Sequence, residues 1–356
     1  MRKLFLPLIL CLISTVSLRG GHLVDELDQA ALQKAFRQLQ KDYIRPEALT
    51  YEEINRAALL GLMERLKLGA QLVTLQESEG EETEIEKSKS PPTSSELTTE
   101  CGYLRMSALS QESLAALDET LAKFEASGHR TLILDLRVPQ QPLDDLSLAA
   151  RLLDRFISPN VILFKREAPG KDRPDLFVTE VTDVRWNHAV LCLVDEETPM
   201  AGELIAAVLK RERRIPLLGG KTAGRTVQYE DYPLSPDTAL RVANSEILLA
   251  DDTSLFEAGV SPDFEIPFAR EDKHKVFAAS EHAPLLNFLF DEARPRMNEA
   301  ALVQETDPEL DYYLTRSQGK KTKFDHKPLQ DVVLQRAVDL VTTVAMARSE
   351  ADLAED

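Results

Sequence analysis

Cysteine is scarce in this 356-residue chain. Only Cys11, Cys101 and Cys192 occur, too few and too scattered for the disulfide framework of a small secreted scaffold. Cys192 lies inside the apolar run 190–194, where an inert core thiol is the expected role. The six histidines fall without metal-ligand spacing, and neither HExxH nor a paired CxxC occurs, so no metal site is predicted and no cofactor is called for. Positive charge is short as well. Lys and Arg number 42 against 60 Asp and Glu, a formal charge of −18 that opposes binding to nucleic acid or to an anionic membrane surface. No apolar run reaches the roughly 20 residues that a membrane-spanning helix needs.

What is present is enough for a large core. With 43% hydrophobic residues the chain can fold as one large domain or two modest ones. Its first residues read Arg2, Lys3, an apolar stretch over 4–16, then small and polar residues, which is the layout of a secretory signal peptide. A signal over 1–17 predicts an exported protein, periplasmic or extracellular, and removing Arg2 and Lys3 leaves it two charges more negative. Cys11 follows the bulky Leu10 and sits mid-stretch, which speaks against lipidation.

Beyond the signal, Leu32, Ala35, Phe36, Leu39 and Tyr43 recur at helical spacing, and Arg45-Pro46 ends that helix. Thr50 with Glu53 three residues on forms a capping box for a second helix, with Ile54, Ala57, Ala58 and Leu62 on its apolar face. Two antiparallel helices over 22–69 are therefore expected. An acidic, Ser- and Pro-containing linker over 70–100 follows, its run 77–86 reading as a solvated stretch or as a surface for a basic partner. From 101 to 268 strand and helix signals alternate. Strands are predicted over 102–109, 131–136, 161–164, 176–181, 190–194, 215–218, 226–232 and 239–249, with helices over 110–128, 144–156 and 200–212. That order argues an α/β core with right-handed crossovers. Residues 269–356 read as helical and charged, ending in a helix with Leu334, Ala337, Val338, Val341 and Val344 on one face.

Three segments carry a resemblance. They are KDYIRPEALTYEEINRAALLGLMERL (41–66), GYLRMSAL (102–109) with LILDLR (132–137), and LCLVDEETPMAGELIAAVLKRERRIPLLGGKTAGRTVQ (191–228) continuing to GVSPDFEIP (259–267). In this order they resemble the tail-specific, or carboxyl-terminal processing, serine peptidase family. The resemblance implies a Clp protease/crotonase-like spiral α/β core with an N-terminal helical segment and a helical C-terminal tail. It also implies a serine at the strand-to-helix turn and a lysine arriving in a Gly-x-x-Thr-x-Gly-Lys pattern.

Against that pattern Met200 takes the serine position and Arg225 the lysine position, while Glu203, Gly219, Thr222 and Gly224 are kept and Gln228 is displaced by one residue. A thioether has no proton to lose and a guanidinium stays charged, so this pair cannot serve as nucleophile and base. The family's Asn-Pro-Gly-Gly type turn after the LDLR strand is replaced by Val138-Pro139-Gln140-Gln141-Pro142, and Pro139 and Pro142 have no N–H to donate to an oxyanion. The residues 70–99 are too few for the family's PDZ module.

Most of the candidate residues have two readings. Thr198 is a replacement nucleophile with Lys221 as base, or the N-cap of the helix that Pro199 opens. Met200 is a core filler. Arg225 pairs with Glu203, Asp195 or Glu197, or else joins Lys221 and the N–H groups of Met200 and Ala201, near Gln228, in capturing a carboxylate such as a polypeptide C-terminus. Asp135 and Arg137 are an acid and a clamp, or a structural ion pair. The expectation is an exported binding or scaffolding pseudopeptidase of α/β fold, whose partner is a polypeptide or protein C-terminus. A hydrolase acting through Thr198 is the rival, and a purely structural assembly component the third reading. Nucleic acid and a membrane span in the mature protein are not expected, and oligomeric state is not legible.

Overall fold

A computed structural model describes residues 26–75, 92–106, 109–137, 145–289, 307–320 and 329–355. The expected signal over 1–17, most of the acidic linker and the loop 138–142 lie outside them.

The chain divides into two compact units, Met1–Gly69 and Ala70–Asp356. In the first, α1 (Gln29–Asp42) starts where the Asp28 carboxylate accepts the Ala31 N–H at 2.7 Å. A 3-10 turn over Pro46–Leu49 leads to α2 (Tyr51–Leu66), and Thr50 Oγ1 caps it by accepting the Glu53 N–H. Neither helix buries a residue: Phe36, Leu39 and Tyr43 of the predicted apolar stripe are each close to half exposed. The helices exist as their sequence periodicity requires, and their apolar stripes are largely exposed.

The second unit holds two sheets. Strands at both ends of the expected linker depart from the sequence reading. β1 (Ala70–Thr74) pairs antiparallel with a distant strand, Ala70 lying against Val242, and β2 (Thr93–Glu96) pairs with β3 (Cys101–Arg105). β1 is only five residues long and β2 is four polar residues, so neither leaves much pattern in a sequence, and their partners supply the pairing.

The main sheet runs β11-β8-β7-β4-β3-β2, in which β4 (Thr131–Asp135), β7 (Ala189–Val194), β8 (Leu217–Gly219) and β11 (Phe264–Glu265) are parallel to β3 and to one another. Both faces are covered, as a parallel sheet requires. On one face Leu104, Leu132, Leu134, Val190 and Cys192 meet α3 (Gln111–Ala126), α4 (Leu146–Leu153) and α5 (Met200–Arg213). On the other, Tyr103, Ile133, Leu191 and Leu193 meet Val333, Leu334, Ala337, Val338 and Val341 near the start of the C-terminal helix, Val332–Glu355. Each such leucine contributes about 1.5–3 kcal/mol by leaving water. Val344, predicted on the same stripe, is 41% exposed and borders a cavity with Ala189, Leu191 and Phe264 of the sheet.

The second sheet is antiparallel. β5 (Ile162–Glu167), β6 (Asp175–Val178), β9 (Val227–Ser235) and β10 (Thr238–Leu249) join β1 in it. Of the remaining C-terminal elements, α6 (Arg270–Ser280) lies next in sequence after β11, and α7 (Pro308–Ser317) and α8 (Val332–Glu355) follow. Among the described residues no helix is long and apolar enough to cross a membrane.

Candidate functional site

The turn from β7 into α5 is built by Thr198. Its Oγ1 accepts the Asp195 N–H at 2.9 Å and its own N–H donates to the Asp195 carbonyl at 3.1 Å, while Pro199 occupies the cap position with extended backbone. Thr198 is 1% exposed. A hydroxyl holding a turn beneath the surface is not placed to attack a substrate, and Lys221, its supposed base, is exposed on a different stretch of chain. The structural reading of Thr198 fits this geometry, with Pro199 in the cap position and Met200 opening the helix.

Met200 is 4% exposed and belongs to the same core cluster as Ala201, Leu204 and Ile205. Its first-turn neighbours Ala201, Gly202 and Glu203 are buried too. A Cβ added at Gly202 would stand 2.8 Å from Thr198 Cγ2, so the turn leaves no room for a side chain there. The N-terminus of α5 is packed rather than open.

Glu203 is the chemical centre of this region. Fully buried, its carboxylate accepts the Gly224 N–H at 2.5 Å and the Arg225 N–H at 2.7 Å, and the Thr222 hydroxyl also hydrogen-bonds it. Burial raises its pKa above the ordinary glutamate range, and these hydrogen bonds pull back only part of the way. The glycines of the returning turn make the approach feasible. Gly219 has φ +121° with the position of a Cβ 2.1 Å from the Val194 carbonyl oxygen, and Gly224 has φ +74° with Gly259 N and Leu255 O at 2.7 Å. Glu203 therefore staples the turn to the helix through backbone groups.

The guanidinium of Arg225 is correspondingly left out. The residue is exposed, and its side chain makes no hydrogen bond or ion pair among the described residues, although its charge helps to lower the Glu203 pKa. The expected pairing with Glu203, Asp195 or Glu197 is corrected by what those acids do instead. Glu203 is filled by backbone N–H groups. Asp195 pairs with Lys273, and Glu197 is held by Arg270 at 2.6 Å, Lys273 at 2.6 Å and His274 at 2.7 Å. Lys273 is 2% exposed, and a buried ammonium needs its carboxylates more than an exposed guanidinium does. Burial by itself would raise Glu197, but hydrogen bonds from Lys273 and His274 hold it below its usual value.

Of the four residues proposed to bind a carboxylate, Ala201 and Gln228 are committed elsewhere. Ala201 is fully buried. Gln228 spends its side-chain oxygen on Arg166 at 2.9 Å and Ser245 at 3.3 Å, because the long β9–β10 hairpin carries it to β5. Lys221 instead lines a cleft of about 440 Å³ at the carboxyl ends of the parallel strands, together with Asp195, Gly220, Arg270 and Lys273.

Arg137 also borders that cleft, and its fork is fully used. Nε and Nη2 donate to Asp135 at 2.9 and 2.7 Å, and Nη1 and Nη2 donate to Asp331 at 3.1 and 2.8 Å, while Tyr103 donates to Asp135 at 2.7 Å. All four side chains are at least nine-tenths buried. Burial opposes the charge on Asp135, yet Arg137 and Tyr103 hold its pKa below normal. The Asp135–Arg137 pair is structural, and Asp331 ties it to the first turn of α8 by accepting the Leu334 N–H at 2.9 Å. Cys101 and Cys192 are buried free thiols, Cys101 pushed up to about 12 by burial and Cys192 raised further, so neither is a nucleophile at physiological pH.

Sequence reasoning missed Lys273 and Asp331, and it named Glu197 only as a partner for Arg225 rather than for Lys273, Arg270 and His274. The signal for Lys273 was there: Lys273, Val276, Phe277 and Ser280 sit at i, i+3, i+4 and i+7 and are the buried residues of α6. Reading the segment as charged hid a lysine on the inward face. Among the described residues no group of His, Cys, Asp and Glu could hold a metal ion.

Comparison with known proteins agrees with this architecture. Residues 100–266 match the profile of Peptidase family S41. The chain is similar to a carboxy-terminal-processing protease of Bartonella bacilliformis, with 24% identity over 182 residues that cover 49% of this chain and 41% of the relative. It is also similar to a carboxyl-terminal-processing protease of Synechocystis, 23% identical over 46% of this chain and 37% of the relative. The matched region thus spans about two fifths of the length of these relatives. A crystal structure from Parabacteroides merdae, named as a candidate peptidase, shares the fold at 16% identity and TM-score 0.50, over 72% of this chain and 89% of that one.

Proposed function

We propose that this protein, which carries a peptidase family S41 domain of Clp protease/crotonase-like α/β fold over residues 100–266, binds polypeptide without cutting it. The observation that carries the proposal is the packed start of α5. Where the resemblance calls for a serine, Met200 is 4% exposed in the apolar core, and where it calls for a lysine, the exposed Arg225 carries a permanently charged guanidinium that cannot act as a base. Acyl transfer needs a nucleophile within hydrogen-bond reach of a base. Thr198 does not supply one, since its oxygen accepts the turn N–H of Asp195. The relatives named as processing proteases support polypeptide as the ligand class.

We place this activity outside the cytosol on the strength of the signal-like pattern at 1–17. The test is direct: purified full-length protein is incubated with an unfolded polypeptide and the products are resolved by mass spectrometry, beside a Thr198→Ala control. Intact substrate retained by the protein supports the proposal. Cleavage that disappears in the control contradicts it.

A further inference from the structure

The cleft of about 440 Å³ beyond the carboxyl ends of β4, β7 and β8 carries an unusual set of charges. Its floor holds Arg137 and Lys273, and each is already paired with two carboxylates, Asp135 and Asp331 for the first and Asp195 and Glu197 for the second. The floor is therefore electrostatically closed and demands no anion. The rim differs. Lys221, Glu196 and Glu265 line the same opening, all three exposed, and none forms an ion pair within 4.0 Å with another or with any described residue. Between them the wall is apolar, made by Val194, Ile266, Phe268 and Val333.

We propose that this cleft binds a small zwitterion with an apolar side chain, an amino acid or a short peptide. Opposite charges on one rim that stay apart leave a gap that a ligand can bridge, its carboxylate on Lys221 and its ammonium on Glu196 or Glu265. The apolar wall then takes the side chain, which is the usual division between a hydrophobic lining and a few orienting polar groups. The volume lies at the lower end of the roughly 300–1,000 Å³ range of ligand clefts, too small for a folded partner. The position fits as well, because open α/β sheets bind ligands in the crevice outside the carboxyl ends of their strands.

This inference rests on the binding reading only in giving it a site and a ligand class. Titration calorimetry on the full chain would use four probes: L-leucine, dileucine, N-acetyl-leucine and leucine amide. We expect saturable binding of leucine or dileucine, with whichever binds more tightly identifying a free amino acid or a peptide as the source. The acetylated and amidated probes, each missing one charge, should bind at least tenfold more weakly, and Lys221→Met should weaken the zwitterion at least tenfold. A Glu196→Gln/Glu265→Gln double variant should reduce the preference for leucine over N-acetyl-leucine. The proposal is overturned if neither zwitterion binds saturably, if the blocked probes bind as well as the free ones, or if Lys221→Met binds unchanged. Recovered dileucine separates the two claims: bound but hydrolysed, it would keep the cleft and remove the non-hydrolytic reading.

Discussion

Asp331 joins two structural devices, so its removal has a calculable cost. Its carboxylate takes two hydrogen bonds from Arg137, at 3.1 and 2.8 Å, and a third from the Leu334 N–H at 2.9 Å that caps α8. Breaking a buried ion pair by deleting one partner costs about 3–5 kcal/mol, because the other charge stays in the interior. Arg137 retains Asp135, which places the loss at the lower end, about 3 kcal/mol, and losing the cap adds about 1 kcal/mol. Asp331→Ala should therefore cost about 4 kcal/mol. For a domain of this size about 1 kcal/mol shifts Tm by roughly 2–4 °C, so the melting temperature should fall by roughly 8–16 °C. Urea denaturation followed by circular dichroism measures the free energy directly. Asp331→Asn keeps a good cap and loses the charge, so it should lie about 1 kcal/mol closer to the parent. A loss below about 1 kcal/mol in Asp331→Ala would refute the reasoning, since it would mean that the Arg137 fork does not depend on α8.

Two further outcomes follow from the packed turn. Glu203 has a folded-state pKa raised above its unfolded value, so the native state binds the extra proton and the stability this contributes is lost as pH rises from 4.5 through the raised folded value. Glu203→Gln cannot titrate, and urea midpoints measured across that window should show a flatter profile than the parent; an identical slope would contradict a raised pKa. Installing Met200→Ser with Arg225→Lys should yield no appreciable peptide cleavage and, with the buried thioether gone, should lower stability by about 2–4 kcal/mol; peptide turnover by this double variant, read by mass spectrometry, would show that a donor set for the oxyanion is already in place.

The fold was largely legible because its centre obeys simple patterns. The near-continuous apolar run at 131–136 and the apolar run at 190–194 are typical of strands covered on both faces, and the alternation with α3, α4 and α5 argues a parallel sheet. β1 and β2 were not legible, because strands of five and four residues gain their pairing from β10 and β3 rather than from a pattern of their own. In the site, the positions of Met200 and Glu203 could be read from the turn that carries them, and the burial of both follows from that turn opening a helix onto the sheet. The fate of Arg225 could not. Which acids were free to meet it depended on Lys273 and Arg270, placed by a helix about fifty residues further along, and a single sequence does not reveal such long-range charge pairing. The same limit hid Asp331, which meets Arg137 from a sequence separation of 194 residues.

The central claim is that no side chain at the start of α5 can attack a carbonyl. Its most direct test is exposure of the folded protein to a fluorophosphonate, which labels an activated hydroxyl covalently, followed by intact-mass measurement. The account predicts an unchanged mass for the parent protein and for Thr198→Ala alike. A stoichiometric adduct on the parent, mapped to any residue between Asp195 and Arg225, would contradict it.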